Sequence, residues 1–304
     1  MSAESPAMPP QAGPGARVSA VVVAYNSAAV IGECLRSVAL VREIIVVDNA
    51  STDETLEIVE SARPKPAIVK IGENVGFGAA ANEGLQRVTG EFALLINPDA
   101  ALEPGALESL VAGADRYKRA AVLAPALVNA QGRIERSHDA SLIEREGLPR
   151  KRNDPPPEGD VCASFLSGAV MLLRKSALDE AGLFDPAIFL YYEDDDLCLR
   201  LRARGWSLVL VPDAVARHIG GASSPQSLET TWRKFWHMGW SRLYFERKHW
   251  GAAAARREGL RALARYTGKI LVHFARSDRV KTTRDLARLC GTAGFLLGLK
   301  GRGF

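Results

Sequence analysis

Three scarcities in this 304-residue sequence narrow its function before any motif is considered. There are four cysteines, Cys34, Cys162, Cys198 and Cys290, too widely spaced for a metal knuckle or a redox pair. That pattern predicts reduced thiols in a cytoplasmic protein, not a disulfide scaffold. No apolar run approaches the roughly 20 residues needed to cross a bilayer. Residues 1–16 are rich in Pro, Gly, Ala and Ser, lack an apolar stretch, and read as a disordered tail, not as a signal peptide. No period longer than the helical one recurs, which excludes a repeat array. The charge is small in total, +4, but uneven in distribution. From Glu229 to Phe304, 17 Lys and Arg stand against 5 Asp and Glu, a balance of +12 that leaves −8 for the rest. The two parts are expected to meet different partners.

What is present is a strand–helix alternation. Residues 18–24 (VSAVVVA) form a β-branched apolar run that ends at Tyr25-Asn26. Ser27 is placed to cap a helix with Ile31, Leu35 and Val38 on its inner face. A second strand over 43–47 ends at Asp48-Asn49, and one of Ser51, Thr52 or Asp53 caps the next helix. A third strand (67–71) leads to Asn74 and another helix; a fourth (92–96) ends at Asn97-Pro98-Asp99. Such alternation predicts an α/β fold with a mostly parallel sheet and flanking helices. Ligands bind beyond the carboxyl ends of the strands in these sheets, so Asp48, Asn74 and Asp99 are expected along one edge. A helix over 104–117, strands over 120–123, 165–173 and 207–211, and a mobile loop over 139–160 complete this part; the loop holds Arg150-Lys-Arg152 and Pro155 to Pro157.

Glu193-Asp194-Asp195-Asp196 is the most concentrated chemistry in the chain. Leu197 and Leu201 follow at helical spacing, so the acids fall in the first turn of a helix, where its dipole favours negative charge. A purely structural helix start needs one or two acids. Four in a row therefore read either as a solvated start with an Asp196–Arg200 pair or as a catalytic cluster.

Gly76-Phe-Gly78-Ala-Ala-Ala81 imitates a dinucleotide fingerprint, with Asp99 at the distance that motif requires. It follows the third strand instead of the first, which argues against an oxidoreductase. The ordered series carries more weight: Val-Ala-Tyr25-Asn26, Val-Asp48-Asn-Ala-Ser-Thr-Asp53, Asn74-Val-Gly-Phe-Gly, Asn97-Pro-Asp99, Ser167-Gly-Ala, Tyr-Glu193-Asp194-Asp-Asp196-Leu and His218. Over roughly residues 17–224 this series resembles glycosyltransferase family 2, and within it the bacterial rhamnosyltransferase branch. The resemblance implies a GT-A fold and an inverting transferase that uses a sugar nucleotide with a divalent metal, Mg²⁺ or Mn²⁺. By motif position it implies Asp194 as the general base and Asp99 with His218 as metal ligands. Tyr25, Asn26, Asp48, Asn74, Asn97 and Asp99 would bind the nucleotide sugar, with Glu193 and Asp196 in support. Asn97 replaces the first acid of the family's Asp-x-Asp motif, and Asp195 takes a usually apolar position and is expected to be exposed. The branch implies dTDP-L-rhamnose as donor, a lipid-linked or polysaccharide acceptor, and a place at the inner membrane face in envelope glycan synthesis. The competing readings are a UDP-hexose or UDP-N-acetylhexosamine transferase and a catalytically silent nucleotide-sugar-binding scaffold.

Residues 225–304 form the third predicted segment, basic and helical. Trp232, Trp236 and Trp240 recur at helical spacing among Arg233, Lys234 and Arg242. Such a stripe suits either a helix lying in an anionic membrane interface or a helix packed on the catalytic domain. Nucleic acid is not the expected partner: no known module is present, and the acidic first part repels phosphate.

Overall fold

The computed structural model describes residues 13–135, 137–138, 157–219 and 227–301. Most of the expected tail, most of the expected 139–160 loop and the expected boundary at 224 lie outside those residues. The tail expectation overlaps the described chain at its end, where Pro14–Arg17 form a single 3-10 turn that buries Gly15. An added Cβ at Gly15 would sit 2.1 Å from the Leu40 carbonyl oxygen, so only glycine fits there.

The chain then runs β1 (Val18–Ala24), α1 (Ile31–Ser37), β2 (Glu43–Asp48), α2 (Thr55–Ser61), β3 (Ala67–Lys70), α3 (Phe77–Leu85) and β4 (Phe92–Ile96). It continues through β5 (Ala100–Leu102), α4 (Ala106–Arg116), β6 (Ala120–Val128), β7 (Ile134–Glu135), β8 (Val161–Ala163), β9 (Val170–Arg174) and α5 (Lys175–Ala181). The last elements are α6 (Glu193–Ala203), β10 (Ser207–His218), α7 (Leu228–Ala275) and α8 (Arg279–Leu296).

One sheet carries all ten strands in the order β3-β2-β1-β4-β9-β6-β10-β5, with β7 beside β6 and β8 beside β10. The first four strands pair in parallel, as the alternation predicts, and β6 pairs in parallel with β10. The sheet as a whole is mixed: β9 runs antiparallel between β4 and β6, and β5 runs antiparallel to β10. Every residue of β1, β4 and β9 is buried, because helices cover both faces of the sheet. Ile31, Leu35 and Val38 face inward from α1. The helix start is built differently from the expected cap: the Ser27 carbonyl, not its side chain, accepts the Val30 and Ile31 amides, while Asp53 accepts the Thr55 amide ahead of α2.

The glycines of the fingerprint-like run serve packing. A Cβ at Gly76, which holds φ 89°, would lie 2.2 Å from the Phe189 carbonyl oxygen, and one at Gly78 would lie 3.0 Å from the Phe184 side chain. Asn82 closes the same contact, donating to the Phe184 carbonyl and accepting its amide, each at 2.9 Å. The run thus clamps α3 onto the segment that leads into α6.

The tryptophan stripe faces protein. Trp236 and Trp240 are buried against Ala287 of α8, and Trp240 Nε1 donates to the Leu299 carbonyl. Phe245, further along α7, lies in the same apolar cluster as Leu197 and Leu201 of α6 and Leu95 of β4. The expected interfacial helix is therefore, over its first half, a packed one. We predict that Phe245→Ala lowers the unfolding free energy by about 3–5 kcal/mol. Urea denaturation followed by tryptophan fluorescence and by far-ultraviolet dichroism should show the loss in one shared transition. Separate transitions for sheet and tail would contradict a common core.

Candidate active site

The parallel register sets out the cleft. Ala24 pairs with Asp48, and Asp48 with Lys70, so β1, β2 and β3 end level with one another. Val22 pairs with Ile96, which brings Asn97 to the same edge. Asp48 is buried and accepts the Ser51 amide at 3.3 Å. Asn26, in a left-handed conformation (φ 51°), accepts the Thr52 amide at 2.8 Å, so it braces the β1 and β2 loops against each other. Asn74 accepts the Gly76 amide and the Asn49 side-chain amide, both at 3.0 Å. Asn49 went unassigned in the sequence reading, yet it is the hub here: it also accepts the Val75 amide. A polar side chain immediately after a strand was the available signal.

The three-residue β5 brings Asp99 to His218. Its antiparallel register pairs Ala100 with His218, and the Ile219 amide donates to the Asp99 carbonyl at 3.1 Å. His218 Nε2 then stands 3.5 Å from Asp99 Oδ1, although 119 residues separate them. Two neighbouring ligands of an octahedral cation with bonds of about 2.1 Å lie about 3 Å apart, so the spacing suits a shared metal. Glu135 stands 4.0 Å from the other ring nitrogen of His218, and among the described residues no three or more His, Cys, Asp and Glu side chains are placed to hold a metal ion by themselves. The pair fits a cation that takes its remaining ligands from substrate phosphate and water, the usual habit of Mg²⁺.

Asp194 reaches the same edge from the far side of the sheet. The Asn97 amide donates to the Ala169 carbonyl, and the Gly168 amide donates to Asp194 Oδ2 at 3.0 Å. A Cβ on Gly168 would press within 3.4 Å of the Asp194 side chain. Ser167-Gly168-Ala169 is thus the bridge between the β4 end and the acidic helix. Burial raises the Asp194 carboxyl above the ordinary range despite the amides of Gly168 and Asp195 that favour its charged form. Glu193, more deeply buried and next to Asp194, is raised well above its ordinary value. The two residues before the helix, Tyr191 (φ 64°) and Tyr192 (φ 71°), both hold left-handed backbone, a strained entry that aims the acids.

Asp196 points the other way and is fully buried among three basic side chains. Arg200 Nε lies 2.8 Å away, as the i,i+4 spacing predicts. Lys248 Nζ at 2.6 Å and His249 Nε2 at 2.8 Å come from α7, which sequence reading did not connect to it. Asp195 is buried, not exposed as expected, because α7 lies over the face of α6 left open by the Leu197–Leu201 stripe. Around the same junction Ser241 donates to the Leu190 carbonyl at 2.9 Å, and Phe189 stacks on His237 at 4.3 Å. Near the start of α7, Arg233 donates to the Tyr25 hydroxyl at 3.5 Å, which brings a cation from the basic segment to the cleft.

Comparison with known proteins gives the family and the fold. Residues 19–182 match the family described as Glycosyl transferase family 2. An N-acetylglucosaminyl-diphospho-decaprenol L-rhamnosyltransferase of Mycobacterium tuberculosis is 30% identical over 230 residues, covering 65% of this chain and 74% of its own. A low-salt glycan biosynthesis hexosyltransferase, Agl10 of Haloferax volcanii, is 23% identical over 61% of both chains. Residues 1–349 of S. aureus TarS superpose with a TM-score of 0.52 at 19% identity, covering 93% of this chain and 92% of theirs. The match to a longer TarS structure spans 39% of that chain. GalNAc-T7, solved with UDP, GalNAc and Mn²⁺, superposes at 0.50 with 15% identity over 66% of this chain and 42% of its own. These likenesses show the fold. The molecule is a glycosyltransferase with a GT-A sheet and a helical C-terminal segment packed on it. It belongs to glycosyltransferase family 2.

The buried cluster at Asp196 makes an acid-stability prediction. Against the cost of burial, hydrogen bonds from His249, Lys248 and Arg200 and the Arg200 charge hold the carboxyl down at about 2, against 3.8 for a free aspartate. A depressed carboxylate contributes stability that is complete above the unfolded value and is lost as pH falls through the folded one. The protein should therefore lose about 2 kcal/mol from this group between about pH 4 and pH 2. The Asp196→Asn variant, less stable at pH 7, should show a shallower decline over that window. Equal slopes in denaturant titrations across the window would contradict the assignment.

Proposed function

We propose that this glycosyltransferase moves L-rhamnose from dTDP-L-rhamnose to a lipid-linked glycan acceptor, with inversion and with the help of Mg²⁺ or Mn²⁺. It would work from the cytoplasmic side, at the inner face of the membrane, in envelope glycan synthesis. The observation that carries the reading is the juxtaposition, at one sheet edge, of a half-buried carboxylate with a raised proton affinity and the Asp99–His218 pair. The rhamnosyl donor and the N-acetylglucosaminyl diphosphate lipid acceptor are supported by the name of the M. tuberculosis relative.

In this reading Asp48, Tyr25 and Asn74 hold the base and ribose of the donor. Asn97 lines the diphosphate end, and Asn26 acts through the loop it braces. Asp99 and His218 would hold the cation, which supplies positive charge against the departing diphosphate. Asp194 accepts the proton of the acceptor hydroxyl as that oxygen bonds to the anomeric carbon and the bond to the diphosphate breaks. A single displacement leaves the sugar with inverted configuration. Burial suits Asp194 to this task, because a raised proton affinity strengthens a carboxylate as base. Glu193 shapes its surroundings, and Asp196 fixes the helix.

A donor panel tests the function. With wild-type protein and Mn²⁺, turnover on dTDP-L-rhamnose should exceed that on UDP-glucose, UDP-galactose and UDP-N-acetylglucosamine at equal concentration. Asp194→Asn should bind the same donor and lose about 10²- to 10⁴-fold in turnover. A UDP-sugar used faster would favour the UDP-hexose reading, and binding without turnover on any acceptor the scaffold reading.

The metal assignment has its own test. In calorimetric titrations of Mn²⁺ into protein saturated with dTDP, Asp99→Ala and His218→Ala should each weaken binding by at least about tenfold. Unchanged affinity in both variants would remove the pair from the metal site.

A further inference from the structure

The basic segment contains a surface that the packing of the tryptophans leaves unexplained. At Gly251 (φ 86°, ψ 168°) α7 breaks and turns back on itself. The two halves run antiparallel: Arg242 pairs with Glu258 at 2.8 Å, and an added Cβ on Gly259 would touch Leu243 at 3.1 Å. Further along, Arg288 of α8 lies over both Phe235 (4.5 Å) and Tyr266 (5.9 Å). Continuing that register brings Leu271 and Val272 level with Leu228, the first residue of α7. The hairpin joining α7 to α8 therefore lies at the same end of the helical layer as Arg233, which touches Tyr25 at the mouth of the cleft.

That hairpin is apolar where it should be polar. Leu271 is 67% exposed, Phe274 75% and Val280 58%. Around them stand the exposed Lys269, Arg276, Arg279 and Lys281, with Asp278 the single acid between 269 and 281. His273 lies 3.4 Å from Asp285 of α8, which fastens the two arms. Large apolar side chains ringed by cations match the interfacial zone of a bilayer with anionic headgroups: the apolar groups enter the acyl boundary and the cations meet the phosphates. No described helix is long and apolar enough to cross a membrane, so the contact is with one leaflet.

We propose that the α7–α8 hairpin, through Leu271, Phe274 and Val280 and their basic surround, docks on an anionic membrane surface and turns the cleft toward it. This rests on the lipid-linked acceptor proposed above, because only such an acceptor gives the orientation a use. The arrangement places the transfer site next to the headgroup layer, where the diphosphate of a lipid-linked acceptor would lie.

The test is cosedimentation of the full chain with vesicles of phosphatidylcholine containing phosphatidylglycerol, and with phosphatidylcholine alone. Wild-type protein should bind the anionic vesicles, less as salt rises, and leave the neutral ones in solution. Leu271→Asp/Phe274→Asp and, separately, Arg276→Glu/Arg279→Glu should each weaken binding at least about tenfold. All four positions are exposed, and circular dichroism checks folding. Turnover on a short-chain, water-soluble acceptor should stay unchanged in these variants, which separates this idea from the donor assignment. Wild-type protein that ignores anionic vesicles, or variants that bind as it does, would overturn the proposal. So would a concentration-dependent dimer abolished by the apolar pair, since the patch would then belong to a second copy.

Discussion

One buried carboxylate ties the acidic helix to the basic segment. Asp196 takes Arg200 from its own helix and Lys248 and His249 from α7, all within 2.8 Å. Removing a partner from such a cluster strands charge in the interior, at a cost of about 3–5 kcal/mol. The geometry of the site depends on it. Asp194 is two residues away on the same first turn, and the loop ahead of it is pinned by α7 at the Leu190 carbonyl. The basic segment is thus part of the frame that aims the proposed base, and its positive charge is partly consumed in doing so.

Two environments lie side by side along α6. Asp196 is held by Arg200, Lys248 and His249 and its proton affinity falls; burial raises that of Asp194, and burial with the neighbouring carboxylates raises that of Glu193. Identical side chains two residues apart thereby differ in proton affinity, one suited to anchoring and the other to the proposed role of base. The strained tyrosines before the helix and the glycine at 168 are the means by which the backbone keeps those environments apart.

Much of this was legible in the sequence. Each strand of the parallel half is a short, largely apolar run followed within a few residues by a polar one, so Asp48, Asn74 and Asp99 could be assigned to an edge from pattern alone. The acidic helix and its i,i+4 ion pair were equally plain. Three things were not. Strand β5 is Ala-Ala-Leu, too short and too bland to show a period, although its register is what joins Asp99 to His218. Asp195 was expected to be exposed because it is an acid where the resembled family usually has an apolar residue, and the arrival of α7 beside α6 is a tertiary event with no local signature. The tryptophans fitted either water–lipid boundary or core, since the same spacing satisfies both; the partner helix α8 decided for core, and the apolar surface left outside is made of leucine, valine and phenylalanine.

The position of β9 also bears on how the molecule is made. It sits in the middle of the sheet, between β4 and β6, yet it is among the last strands in the chain. During synthesis β1 to β4 emerge and pair first, and the free edge of β4 stays open until residues 170–174 follow. An open, fully apolar central edge is the feature most prone to mispairing with another chain. The sheet closes only when distant segments meet, a high-contact-order step that is slow by nature. For this enzyme the hazard of the nascent chain lies in the interval between its fourth and ninth strands.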